Sequence, residues 1–302
     1  MIYWRIEKRA ARHKEKGIIM TSKANFKLAW VTDPHLNFVH EKKIESFARS
    51  ILRQEPDALV ITGDIAEGQN IVDYLAFLDL QMKNKFPIFF VLGNHDYYNR
   101  SIESVRERVG ELFTYDETSK QIFEARLGYL GTSGVVRLTD DTALVGHDGW
   151  ADGQYANWFT SKVWLADYSC ISELGDIACP VDQLRFDKLN ELAQECAAYV
   201  DEQTNKAFKD YEHVFVATHV PPFRENAVYN GKISDKDWMP HFSSKAMGDV
   251  LLKLAQENPD KRLTVLCGHS HGEADVEHLP NLRCITGEAR YRHPKISKVF
   301  EI

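Results

Sequence analysis

Ile88-Phe89-Phe90-Val91-Leu92 runs directly into Gly93-Asn94-His95-Asp96: an unbroken apolar stretch, a glycine, then three side chains bearing oxygen or nitrogen donors. Continuous apolar runs of this length, bounded by Gly or Pro, read as strands buried on both faces. The pattern recurs along the chain. Leu28-Ala29-Trp30-Val31-Thr32 runs into Asp33-Pro34-His35, and Ala58-Leu59-Val60-Ile61-Thr62 into Gly63-Asp64. Val214-Phe215-Val216-Ala217-Thr218 meets His219, and Leu263-Thr264-Val265-Leu266-Cys267 meets Gly268-His269-Ser270-His271. Open α/β sheets collect ligands at the carboxyl ends of their strands. Five such strands delivering Asp, His and Asn to one edge predict one site, and the donor types predict a metal site.

The donor count bears on how many ions. Asp33, His35, Asp64, Asn94, His219, His269 and His271 supply seven donors with no sulfur among them. One tetrahedral ion with an open position uses three protein ligands. Seven suit two ions sharing a bridge, and the two oxygens of Asp64 qualify it as that bridge. Two-metal centres clamp the attacking and leaving oxygens of an in-line displacement, with phosphate ester hydrolysis among their usual work. Mixed oxygen and nitrogen donors admit divalent or trivalent Mn, Fe, Zn, Ni or Co.

At these residues the chain resembles the calcineurin-like metallophosphoesterase family, whose pattern is D-x-H, G-D, G-N-H-[DE], a lone His and G-H-x-H, each after a strand. Every element is present in order from Asp33 to His271. The resemblance implies Asp33, His35, Asp64 and His271 around a first metal and Asp64, Asn94, His219 and His269 around a second. It also implies that His95 is no ligand but acts on the substrate or the leaving oxygen, with Glu67 or Asp96 as candidates to orient it. The implied reaction is attack by a metal-bridging hydroxide on a phosphodiester or phosphomonoester, a small nucleotide-like substrate being one candidate. Asn94-His95-Asp96 and His219-Val220-Pro221-Pro222 look like the bacterial phosphodiesterase branch. A Ser/Thr-type protein phosphatase is an alternative, set back because Gly63-Asp64-Ile65-Ala66-Glu67-Gly68 lacks that branch's Arg. A catalytically silent binding module is another, set back because His95 and all seven donors are present.

Between the motifs, Ile44, Phe47, Ala48, Ile51 and Leu52 follow helical spacing, as do Ile71, Tyr74, Leu75 and Leu78. The first three motifs stand about thirty residues apart, the length of a βαβ unit. Longer helices are expected near 182–209 and 244–256, and short strands in 127–147 and 274–301. The pattern predicts an α/β fold, a four-layer αββα sandwich of two mixed sheets flanked by helices, which the resemblance also implies. The domain is expected over residues 26–302, behind a basic N-terminal extension at 1–25 that reads as solvated rather than as a secretory leader.

Composition agrees. A 302-residue chain with 44% hydrophobic residues can bury a full core. A net charge of -7 gives no general attraction for long nucleic acids, whereas bound cations would still draw a small phosphoester. No run reaches the ~20 apolar residues of a membrane span. Five cysteines, without ligand spacing, read as free thiols in a reducing, cytoplasmic compartment. Two irregular aromatic segments remain. One holds Trp150, Tyr155, Trp158, Phe159, Trp164 and Tyr168; the other holds Phe223, Arg224, Tyr229, Lys232, Trp238 and His241. They read either as a substrate-facing wall or as hydrophobic plugs for long loops, and Arg224, Arg290 and Arg292 are candidates for gripping a phosphate.

Overall fold

Two sheets carry the molecule, each parallel at its centre; an antiparallel strand closes one edge of the first and both edges of the second. The structure, a computed structural model, describes residues 25–113, 126–175 and 181–302. The first sheet has the order β13-β1-β2-β3-β4. Its strands are β1 (Lys27–Val31), β2 (Ala58–Thr62), β3 (Ile88–Val91), β4 (Leu127–Tyr129) and, antiparallel to β1, β13 (Lys298–Glu301). The second has the order β11-β12-β10-β7-β6-β5. Its parallel centre is β6 (Thr142–Gly146), β7 (His213–Ala217), β10 (Arg262–Cys267) and β12 (Leu282–Thr286). The edge strands β5 (Val136–Arg137) and β11 (Ala274–Leu279) run antiparallel. A separate hairpin pairs β8 (Val228–Tyr229) with β9 (Lys232–Ile233).

Side-chain alternation along the strands separates the layers. Leu28 and Trp30 of β1, Val60 of β2 and Phe89 of β3 pack against Leu144, Phe215 and Leu266 of the opposite sheet. The intervening residues Ala29, Val31, Leu59, Ile61 and Phe90 join the core shared with the helices. Those helices are α1 (Glu41–Leu52), α2 (Ile71–Gln81), α3 (Ile102–Phe113), α4 (Val181–Ala207) and α5 (Lys245–Glu257). Contacts of α3 with β4, of α4 with β6 and β7, and of α5 with β12 set helices against both sheets. The result is the expected αββα sandwich. A strand buried between two such layers needs apolar residues on both faces, which is why the motif strands read as continuous runs rather than as alternating ones.

Helix placement follows the expected spacing within a residue or two at each end. The third helix, Ile102–Phe113, adds an element the sequence reading did not assign, although its buried Ile102, Val105, Val109 and Phe113 keep helical spacing. Except for Asn25, the basic extension expected at 1–25 lies outside the described residues. No helix among the described residues is long and apolar enough to cross a membrane. Cys170, Cys196, Cys267 and Cys284 are free thiols, the last three buried. Cys179 lies outside the described residues.

The inter-sheet layer can be tested at Phe215, which is fully buried on β7 and meets Phe300 edge-on at 5.2 Å. Phe215→Ala should lower the unfolding free energy by about 3–5 kcal/mol, the range for truncating a buried aromatic. The check is a urea titration in which the midpoint falls while the slope is kept.

Candidate metal centre

All seven expected donors leave the carboxyl ends of β1, β2, β3, β7 and β10 and meet at one point. The backbone there is unusual. Asp33, His35, Asp64, His269 and His271 all adopt positive φ, between 41° and 65°. They make up five of the eleven non-glycine residues with positive φ among those described. Each such residue costs free energy unless its surroundings over-determine it, and such residues gather at functional sites. The turns also need close backbone approach. A Cβ on Gly93 would lie 2.2 Å from Asp64 Oδ1, and one on Gly268 would lie 2.0 Å from Asp33 Oδ2. Glycine is required at both positions by contact, although neither has positive φ.

The donors fall into two groups joined by Asp64. Asp33, His35, Asp64 and His271 place one ligand atom each within 4.8 Å of one another. His271 Nε2 stands 3.2 Å from His35 Nε2 and 3.4 Å from Asp33 Oδ1, and His35 Nε2 is 3.6 Å from Asp64 Oδ2. In the second group the Asn94 amide oxygen lies 3.1 Å from His219 Nε2 and 3.0 Å from His269 Nδ1, while His219 Nε2 is 3.4 Å from Asp64 Oδ1. Backbone carbonyls fix the tautomers in this half. His219 Nδ1 donates to Thr62 O at 2.9 Å, and His269 Nε2 donates to His241 O at 3.0 Å. The lone pairs of His219 Nε2 and His269 Nδ1 therefore face the centre, the arrangement that orients ligating imidazoles.

The electrostatics suit a cation. Burial pushes the His35 pKa down to about 2 and that of His269 to about 3, which keeps both imidazoles neutral and able to ligate. Burial and the nearby Asp33 charge hold the Asp64 carboxyl well above the carboxylate range. Burial would raise Asp33 too, but the His271 hydrogen bond and the surrounding histidines outweigh it and hold this carboxyl low. Two carboxylates and facing imidazole nitrogens, converging out of water, fit a divalent cation better than they fit one another.

The three expected catalytic residues part company. His95 lies at the mouth, its ring stacked on Tyr98 at 4.3 Å and its Nε2 3.9 Å from Asp64 Oδ2. Asp96 is fully buried, and its carboxylate accepts the backbone amides of Ile65, Ala66 and Gly93 at 2.8–2.9 Å. It ties the second motif to the third, and its carboxylate forms no hydrogen bond or ion pair with His95. The Glu67 side chain forms no hydrogen bond or ion pair among the described residues, so neither carboxylate orients the His95 ring here.

Other residues hold the donors. Asp167 accepts from Asn94 Nδ2 at 2.8 Å and from the Tyr98 hydroxyl at 2.7 Å, which turns the Asn94 oxygen toward the centre. Asp148 follows β6, and its backbone oxygen accepts the His219 amide at 2.6 Å. Its carboxylate takes the Leu92 amide at 2.8 Å, the Tyr97 hydroxyl at 2.6 Å, the Tyr129 hydroxyl at 2.9 Å and Arg106 Nε at 3.0 Å. Burial alone would raise its pKa, but the Arg106 charge and these donors lower it. A readable signal existed for Asp148, because Thr142-Ala143-Leu144-Val145-Gly146 is a sixth apolar run ending in polar residues, His147-Asp148. None existed for Asp167, which sits in an irregular aromatic stretch.

The aromatic segments divide. Trp150, Trp158 and Tyr168 are buried in the core, which favours for these three the plug over the substrate-facing wall of the two readings. Long irregular loops need apolar anchors, and these rings supply them. Tyr229, Trp238, Phe159 and Trp164 are exposed. Arg224 is engaged with the Tyr155 carbonyl at 2.7 Å.

Comparison with known proteins agrees with this geometry. The model of the calcineurin-like phosphoesterase family matches residues 26–273. The chain belongs to that family. An uncharacterized metallophosphoesterase of Aquifex aeolicus (strain VF5) is 36% identical over 102 residues, covering 31% of this chain and 39% of that protein. A probable cyclic nucleotide phosphodiesterase of Pseudoalteromonas sp. (strain SM9913) is 33% identical over 84 residues, covering 24% of this chain and 32% of that protein. The chain thus spans two fifths or less of these curated relatives. The phosphopantetheinyl hydrolase of Mycobacterium tuberculosis superposes with a TM-score of 0.59 over 90% of this chain and 96% of that one, at 12% identity, a likeness of fold. The phosphoesterase fold accounts for both sheets and for the convergence of the strand ends.

The support under His219 gives a test. Asp148→Asn keeps the shape but strips Arg106 of its buried counter-charge. The expected loss is about 3 kcal/mol, the low end for breaking a buried pair, because Glu195 still holds the Arg106 guanidinium at 3.2 Å. Denaturant melts of the two proteins would show it.

Proposed function

We propose that this chain is a metal-dependent hydrolase of small phosphoesters, with two metal ions held on either side of Asp64. One observation carries the reading. The two oxygens of the Asp64 carboxylate face different donor groups, Oδ2 toward His35 at 3.6 Å and Oδ1 toward His219 at 3.4 Å. Asp33, His35 and His271 would complete one metal's ligands, and Asn94, His219 and His269 the other's. When bound, such ions act as Lewis acids on phosphoryl oxygens and make water a competent nucleophile near neutral pH.

The residues of the chain would do the rest. Asn94 is a neutral ligand, so its half of the centre carries less negative charge and attracts an anionic phosphoryl group more strongly. His95 stands at the mouth without ligating and is placed to donate a proton to the leaving oxygen. Burial pushes its pKa down to about 4. An anionic phosphoester beside it would favour the protonated ring and draw that value back up. The name of the Pseudoalteromonas relative supports a cyclic or other nucleotide-like ester among the substrates.

Hydrolysis of bis-p-nitrophenyl phosphate with added Mn²⁺ tests the reading, and no turnover of this diester or of p-nitrophenyl phosphate would sink it. Asp64→Ala should abolish turnover and remove both ions by elemental analysis; full occupancy in that variant would disprove the bridge. His95→Asn should keep normal metal content while kcat falls roughly 10²–10⁴-fold, the usual contribution of acid–base catalysis. That fall should be smaller for a phenol leaving group than for an alkyl one, and equal losses would argue against proton donation.

A further inference from the structure

The mouth of the site is bordered by exposed aromatic rings. Tyr291, in the loop between β12 and β13, lies over His35 with ring centroids 4.4 Å apart and planes 32° apart. It meets His271 edge-on at 5.2 Å and Phe38 edge-on at 5.5 Å. Its hydroxyl is 3.4 Å from His95 Nε2. In spite of these contacts Tyr291 is 44% exposed and Phe38 39% exposed. Arg290 and Arg292 flank it, both exposed, and neither forms an ion pair among the described residues. Apolar rings left open beside polar ligands are hydrated at a cost that a ligand covering them removes. An exposed aromatic face beside a centre suited to cations fits a planar group carried on an anion.

We propose that Tyr291, backed by Phe38 and flanked by Arg290 and Arg292, is the seat for a planar aromatic group on the substrate's ester arm. This rests on the hydrolase reading, which puts the ester phosphorus at the centre beside it. A second aromatic pair stands on the other side, where Trp238 meets Phe242 at a tilt with centroids 5.2 Å apart and Phe242 meets His269 edge-on at 5.1 Å. Trp238 reaches the site only through Phe242. Tyr291 touches two of the donor histidines and reaches His95, so a ring stacked on Tyr291 would lie beside the centre that takes the phosphoryl group. The seat therefore sets which esters bind well and leaves the chemistry to the centre.

Calorimetric titration of the Mn²⁺-loaded protein with phenylphosphonate and methylphosphonate separates the ring from the anion. Tyr291→Ala should weaken phenylphosphonate roughly 5- to 100-fold, the range for losing one stacking aromatic, and leave methylphosphonate within about twofold. Tyr291→Phe should retain most of the phenyl preference. Tyr291→Leu, which keeps bulk over His35 but cannot stack, should show the same selective loss as Tyr291→Ala and guards against a collapsed centre. Adenosine 5′-monophosphate distinguishes the source of the ring: a parallel loss assigns a nucleobase, and a loss confined to phenylphosphonate assigns a small aryl group. Equal effects of Tyr291→Ala and Tyr291→Leu on both phosphonates, or a selective loss on Trp238→Ala instead, would overturn the assignment. Turnover of bis-p-nitrophenyl phosphate by the unmodified protein, measured alongside, reports on the hydrolase reading separately.

Discussion

Five of the six buried aspartates among the described residues, Asp33, Asp64, Asp96, Asp148 and Asp167, gather around the candidate metal centre, and most of the local architecture serves to pair them. A buried charge without partners costs several kcal/mol, so each must be met by donors or neutralised. Asp96 is met by three backbone amides, Asp148 by an amide, two phenols and Arg106, and Asp167 by Asn94 and Tyr98. These three are satisfied by the protein itself. Asp33 and Asp64 are met mainly by histidines and are left with oxygens turned toward a common point. The division separates carboxylates that build the candidate site from those left free to meet a cation in it.

The division also explains what could be read from the chain beforehand. A strand that crosses the middle of a four-layer sandwich must be apolar on both faces, so its end is marked by the first polar residue. The donors sit at those marks, and Asp33, His35, Asp64, Asn94, His219, His269 and His271 were all legible for that reason. The pairing of Asp64's two oxygens with His35 and His219 needs coordinates, because it depends on how far the second sheet lies from the first.

Supporting residues were harder to see. Asp167 comes from an irregular stretch with no period of its own, and its role arises only when the loop folds back on Asn94. The aromatics around it left two readings open for a related reason: a ring that anchors a long loop and a ring that meets a ligand look alike in composition. Trp150 and Trp158 proved to be anchors. Tyr291 looked unremarkable in sequence, since a single Tyr between two Arg carries no pattern, yet the β12–β13 loop brings it over His35.

The left-handed backbone at five of the donor positions has a consequence for how such a protein ages under selection. Glycine could occupy any of those φ values at no steric cost, whereas Asp and His cannot. Exchanging a donor for glycine would relax the turn and remove a buried charge or imidazole in one step. A population screened for heat resistance alone would accumulate such exchanges, and its fittest members would keep both sheets while losing the chemistry between them.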